Sequence, residues 1–183
     1  VLEDAVTTAR LILRMPTQAD SQEVFDLYAD RRVWESDPVS RHRTIDQTER
    51  MIENWRSAWH RDGLGMWIAR SHQGVFVGIG GCFVRYGVAW NVGFRLEPRW
   101  WGAGYAQEIS AAARGAAQRL RPELPLTAYV LDGNEQSRRA VERLGLAFAW
   151  RGPDAGNPDL SAVRLLYSDR PLSQDVLRAL TER

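Results

Sequence analysis

The stretch Val92-Gly-Phe-Arg-Leu-Glu-Pro-Arg-Trp-Trp-Gly-Ala-Gly-Tyr-Ala106 runs from an apolar strand pattern through a tight glycine-bearing turn into a helical pattern. Its chemistry is that of an anion trap. Gly102 and Gly104 let the backbone approach a ligand with no Cβ in the way, and the first-turn N–H groups at Tyr105 and Ala106 lack intrahelical acceptors. A pyrophosphate supplies those acceptors at the positive end of the helix dipole. A glycine pair before a helix is equally a plain turn, so the spacing alone leaves both readings open. Further on, Asn134 suits an N-cap and Ser137 an ordinary first-turn residue. Ser137 nevertheless precedes Ala140, Val141 and Leu144 at helical spacing, which turns its hydroxyl inward.

Composition removes whole mechanisms. All 24 basic residues are Arg, so a phosphate-loop lysine, a pyridoxal Schiff base and a Ser-Lys dyad are excluded. With Cys82 as the single cysteine there is no internal disulfide, no thiolate-rich zinc cluster and no two-thiol redox motif. In the apolar stretch Val75 to Val84 it reads as a small buried side chain before it reads as a nucleophile. His42, His60 and His72 show no two-His helical spacing, and no metal is expected. The 24 basic and 23 acidic residues cancel to +1, which argues against a nucleic-acid partner. No apolar run approaches the roughly 20 residues of a membrane span and no signal-like core opens the chain, so the expectation is a cytoplasmic protein without a membrane partner. Its 183 residues suit a single domain over 1–183.

These residues must be positioned by a mixed α/β framework. Alternation predicts strands over Arg10 to Met15, Met66 to Arg70, Val75 to Val84, Ala89 to Leu96 and Leu126 to Leu131, then a hairpin from Phe148 to Arg151 and Ala162 to Tyr167. Helical spacing predicts Thr17 to Asp30 (capped by Thr17 or Asp20), Thr44 to about Arg61 with a Thr44/Gln47 capping box, Gly104 to Leu120, Asn134 to Leu144, and Ser173 to Glu182. A polar, irregular segment from Arg31 to Arg43 interrupts the pattern. One central β-α-β unit among antiparallel strands implies a mixed sheet with helices on both faces.

Arg99-x-x-Gly102-x-Gly104 resembles the Arg/Gln-x-x-Gly-x-Gly/Ala signature of the GNAT superfamily, and Trp101-Gly-Ala-Gly-Tyr-Ala106 resembles the form used by its ribosomal-protein N-terminal (RimJ/RimL-like) acetyltransferase branch. Thr8-Ala-Arg-Leu-Ile-Leu-Arg14 and Asn134-Glu-Gln-Ser-Arg-Arg-Ala-Val-Glu-Arg-Leu-Gly145 are similar to the branch's opening strand and its Asn-x-x-Ser…Leu-Gly motif. The resemblance implies the GNAT fold, a mostly antiparallel sheet splayed open between the strands at Ala89 to Leu96 and Leu126 to Leu131. Acetyl-CoA is the implied co-substrate, held by Phe94, Leu96, Arg99, Trp101, Gly102, Ala103, Gly104, Tyr105, Ala106, Asn134 and Ser137. It implies direct transfer to an amine, a protein N-terminus or a small metabolite, with Ser137 protonating the departing thiolate.

Where the branch carries a strand carboxylate this chain has Asn91, which cannot act as a base. Glu35, Asp37, Asp154 and Asp159 lie in segments that the resemblance places around the acceptor mouth, and solvated loop charges are the other reading of each. Of eight tryptophans, Trp55, Trp59 and Trp67 sit at core periodicities, while Trp34 and Trp90 are placed to line an acceptor pocket. The rival readings are a non-catalytic acyl-CoA-binding module, which the missing carboxylate favours, and an interaction scaffold. Monomer and homodimer both stay open.

Overall fold

The computed structural model describes residues 5–155 and 157–182; the ends of the expected 1–183 domain, and Gly156 in its long polar loop, lie outside the described residues. In chain order the elements are β1 (Ala5–Thr7), β2 (Leu11–Arg14), α1 (Ser21–Ala29), α2 (Ile45–Asp62), β3 (Met66–Ser71), β4 (Phe76–Arg85), β5 (Ala89–Leu96), α3 (Tyr105–Leu120), β6 (Leu126–Leu131), α4 (Glu135–Arg143), β7 (Ala147–Pro153), β8 (Val163–Ser168) and α5 (Gln174–Thr181). They form an eight-stranded sheet in the order β1-β2-β3-β4-β5-β6-β8-β7. Its neighbours are antiparallel except for β5 and β6. No helix among the described residues is long and apolar enough to cross a membrane.

The predicted elements are present within a residue or two at their ends. β1 is an addition: it pairs Ala5 with Arg14 and Thr7 with Ile12, too short a run for alternation to mark. The first helix is also divided, a 3-10 turn at Gln18–Asp20 leading into α1. Thr17 caps that turn in a capping box with Asp20, and Asp20 stands at the N-cap position of α1 without a side-chain bond into it. Its carboxylate accepts from Arg14 at 2.9 and 2.5 Å, and from the Thr17 N–H at 2.8 Å, while Arg70 stands 3.4 Å away. Burial alone would raise the pKa of Asp20; the bonds from Arg14 and Thr17 outweigh it and hold the carboxyl below its usual range.

Side-chain parity along β5 divides the layers. Trp90, Val92 and Leu96 join the cluster that contains Ile109, Ala113, Ala116 and Ala117 of α3 and Val141 of α4. The opposite face of the sheet carries α1 and α2 through Val24, Leu27, Tyr28, Ile52, Met66, Ile68 and Ile79. The alanines let α3 lie close to the sheet, and Gly80 completes the fit: a Cβ there would meet the Ile109 Cγ2 at 2.5 Å. Burying Ile109 in this contact contributes about 2 kcal/mol.

Replacing Asp20 by Asn leaves the Arg14 and Arg70 guanidinium groups facing a neutral amide, and urea unfolding at neutral pH should show a loss of about 3 kcal/mol. Because the folded-state pKa of Asp20 is depressed, its stabilisation is complete above the ordinary Asp value and disappears as pH falls through the folded value. The gap between wild type and Asp20→Asn should therefore begin to narrow below roughly pH 4 and go on shrinking as pH falls further. An equal gap at pH 7 and pH 3 would mean that the ion pair is not its source.

Candidate active site

β5 and β6 share two rungs, Trp90 with Leu126 and Asn91 with Thr127, and then part. The Trp90 N–H donates to the Pro125 carbonyl at 2.9 Å, and the Thr127 hydroxyl donates to the Trp90 carbonyl at 2.8 Å. On the other edge the Glu97 N–H donates to Val77 of β4 at 3.0 Å. Backbone direction alternates along a strand, so the even-numbered groups of β5, at Val92, Phe94 and Leu96, point into the gap left by β6. Trp101 takes one of these, its Nε1 donating to the Leu96 carbonyl at 2.9 Å. The groups of Phe94 and the Leu96 N–H face the cleft.

A cavity of about 720 Å³ occupies that gap and extends to the start of α3. At its far end Gly102 and Gly104 have φ +76° and +83°, the left-handed region where a side chain is strained. Above Gly102 the space is open, and a Cβ on Gly104 would meet only Arg10 Nη2, at 3.5 Å. Tyr105, Ala106 and Gln107 open the helix and line the cavity; their N–H groups have no partner within the helix. Positive-φ backbone followed by a helix start makes a concave nest of donors, the geometry that receives a phosphate.

This loop is clamped from behind by residues whose role is not visible in sequence spacing. Arg10 donates through Nε to Glu108 at 2.7 Å and through Nη1 to the Ala103 carbonyl at 2.8 Å, and lies 4.3 Å over the Tyr105 ring. The Thr8 hydroxyl donates to Glu108 at 2.6 Å. Burial would raise the Glu108 pKa, but the bonds from Thr8 and Arg10 bring it below the usual range. The Thr8-x-Arg10 motif thus joins the turn between β1 and β2 to the first turn of α3 and fixes the nest.

Asn134 caps α4, its Oδ1 accepting from the Ser137 N–H at 3.0 Å, while its Nδ2 donates across the cleft to Ser36 Oγ at 3.3 Å. Ser137 is half-buried and stands where the large cavity meets a smaller one of about 170 Å³, lined by Tyr28, Trp34, Asn91, Gly93, Arg95 and Tyr129 among others. The irregular 31–43 segment walls both. Trp34 anchors it against Tyr28 (ring centroids 5.0 Å apart), and His42 stacks on the same ring and reaches Thr48 Oγ1 at 2.7 Å. Burial raises the Tyr28 pKa to about 12, with Arg95 pulling it down.

The cavity brings together Phe94, Leu96, Trp101, Gly102, Gly104, Tyr105, Ala106, Asn134, Ser137 and Glu35. Other expected residues stand outside its lining. Arg99 turns its guanidinium to Glu97 at 2.6 Å, and Ala103 spends its carbonyl on Arg10. Asp154 binds Arg164 Nε at 2.9 Å, and Asp37, buried behind the wall, accepts from Ser40 Oγ at 2.8 Å and faces Arg164 at 3.9 Å. Asp159 closes its own turn through Ser161 at 2.6 Å. Each of these three carboxylates has a partner of its own outside the lining of the large cavity, and of the four expected acidic residues Glu35 is the one in that lining. The expectation for Trp90 is corrected. It is buried in the core with Nε1 on the Arg121 carbonyl at 3.3 Å, whereas Trp34 does line the small cavity. Cys82 is fully buried, and burial pushes its thiol pKa up.

A family model described as an acetyltransferase (GNAT) domain matches residues 10–147. The fold is shared with an acetyltransferase from Agrobacterium tumefaciens, at 24% identity and TM-score 0.74 over 92% of this chain and 95% of that one. It is shared also with RimL, a ribosomal L7/L12 alpha-N-protein acetyltransferase solved in complex with coenzyme A (16% identity, TM-score 0.73, 92% and 98% covered). A third likeness is the ribosomal-protein-S5-alanine acetyltransferase from Vibrio fischeri (12% identity, TM-score 0.72, 91% and 96% covered).

Gly104→Val places a β-branched side chain at φ +83° in the space above the nest. Calorimetry should show coenzyme A affinity falling by at least about tenfold, the loss of a few N–H contacts near 1 kcal/mol each, while unfolding stays cooperative. Unchanged affinity in a folded variant would remove the nest from the binding site.

Proposed function

Because the chain belongs to the GNAT acetyltransferase family, we propose that it moves the acetyl group of acetyl-CoA to a primary amine by direct attack while both substrates are bound. The observation that carries this reading is the open edge of β5 lying between a phosphate-shaped nest and a second chamber. Acetyl-CoA supplies an acetyl group already activated as a thioester. The residues present suit it: the N–H groups of Tyr105, Ala106 and Gln107 for the pyrophosphate, the β5 edge at Phe94 and Leu96 for the extended pantetheine amides, and Trp101 and Asn134 on either side.

Each remaining task falls to a group that lines one or both chambers. The amine enters through the small cavity, so its nitrogen meets the thioester carbonyl beside Ser137. A β5 backbone N–H turned into the gap stabilises charge on the carbonyl oxygen. The Ser137 hydroxyl donates its proton to the departing sulfur and recovers one from solvent or from the amine. With Asn91 in place of a strand carboxylate, Glu35 is the acidic residue of the expected four positioned to take the amine proton, through water. Orientation of the two substrates supplies most of the acceleration, and each proton-transfer group adds about 10²- to 10⁴-fold.

The direct test is incubation with acetyl-CoA and a panel of peptide and small-molecule amines, following thiol release and product mass. Thiol release without an acetylated amine would leave hydrolysis instead of transfer. Ser137→Ala should lower kcat roughly 10- to 10³-fold with little change in the KM for acetyl-CoA, as befits a bond that strengthens only when the sulfur becomes a thiolate. Wild-type kcat across the full pH range would take Ser137 off the proton path.

A further inference from the structure

The small cavity contains a charge that the transfer chemistry leaves unemployed. Asn91, Gly93 and Arg95 share one face of β5, the face covered by α1 and the 31–43 segment, and Gly93 has no side chain to separate the other two. The Arg95 guanidinium lies over the Trp34 ring, its Cζ 4.1 Å from the centroid, and lines both cavities. Among the described residues it makes no hydrogen bond and no ion pair, and its Nε is buried without a partner. Burial draws its pKa down, countered by Tyr28 and Asp37, and a guanidinium still keeps its proton at neutral pH.

The neighbouring carboxylates do not answer it. Asp37 is bonded to Ser40 and faces Arg164, and Asp154 holds Arg164 at 2.9 Å. Arg85 adds a further cation over the Tyr129 ring at 4.1 Å. Among the described residues Arg95, the one arginine in the lining of the small cavity, is thus left without an ion-pair partner. A buried N–H donor without an acceptor, here the Arg95 Nε, is costly unless a ligand supplies one. The second orphan on this face has the opposite sense: Asn91 Oδ1 is buried and accepts no hydrogen bond.

We propose that the acceptor is an amine carrying a carboxylate a few bonds from its nitrogen, and that Arg95, held over the Trp34 ring, binds that carboxylate. The inference rests on the amine-transfer reading above. The chamber of about 170 Å³ suits an amine and an anion carried on one compact group. One planar fork matches a carboxylate in a bidentate pair, whereas a phosphate dianion would call for more donors than this wall offers. Asn91 Oδ1 accepts from the incoming amine, which places the two orphans at opposite ends of the same substrate. A free amino acid and an acidic residue at a peptide N-terminus present the same chemistry.

The test uses matched pairs with acetyl-CoA: free amino acids against their carboxamides, and peptides beginning with Asp against the same peptides beginning with Asn. Wild type should favour the carboxylate member of at least one pair by about 30-fold or more in kcat/KM, mostly through KM, as for a charge pair desolvated on binding. The pair that responds identifies the source. In Arg95→Met the preference should collapse toward one, and Arg95→Lys, with a charge but no fork, should fall between. Should the Met variant fail to fold, the wild-type ratio and competition against the amine by the corresponding carboxylic acid lacking the amino group serve instead. A wild-type ratio near one in both pairs, a preference that survives in Arg95→Met, or no competition by that acid overturns the proposal. Acetyl-CoA binding is measured alongside: binding with no amine acetylated defeats the transfer reading itself, and the inference falls with it.

Discussion

Past the rung between Asn91 and Thr127, β5 has no parallel neighbour, and a strand edge stands open in the middle of an eight-stranded sheet. Backbone donors and acceptors in an interior gap must be answered by something. An extended ligand with amides of its own is the natural answer, since it adds to the edge as a strand would. The rest of the molecule is arranged around that vacancy in the ladder. β4 braces β5 along its whole length, α3 begins where β5 ends, and α4 starts where β6 ends, so two helix N-termini converge on the gap.

Arginine holds this arrangement together. Arg10 ties the turn between β1 and β2 to the first turn of α3, Arg14 and Arg70 grip Asp20 beneath α1, and Arg114 donates from α3 to the Leu144 carbonyl at the end of α4 at 2.5 Å. In each case a planar fork reaches a carboxylate or carbonyl belonging to a different part of the fold, with less loss of freedom per bond than a flexible ammonium. Partly buried pairs of this kind matter more to geometry than the surface pairs along α4, such as Arg138 with Glu135 at 3.3 Å, which are worth at most about 1 kcal/mol.

The helices, the strands and the glycine nest were legible in the sequence because each is written in local periodicity or in residues with a special backbone. What escaped depends on contacts distant in the chain. Alternation showed that Trp90 and Asn91 lie on opposite faces of β5 without showing which face is core, and Trp90 proved to be inside. Asp37, Asp154 and Asp159 look alike as loop carboxylates; only the position of Arg164, on a strand near the end of the fold, separates two of them from Glu35. Arg95 carries no signal in the sequence beyond its place in a strand. The packing of α1 and Trp34 over that face turns it inward.

The cations at the cleft are Arg32, Arg95 and Arg143, and no side chain anywhere in the chain ends in an amine. A guanidinium stays protonated at any physiological pH and is a poor nucleophile. The lone thiol, Cys82, is sealed in the core with its ionisation suppressed. A thioester resting in this site therefore meets no competing side-chain amine or accessible thiol. The protein can hold a reactive acyl donor in this cleft without offering it a side-chain amine or thiol to acylate.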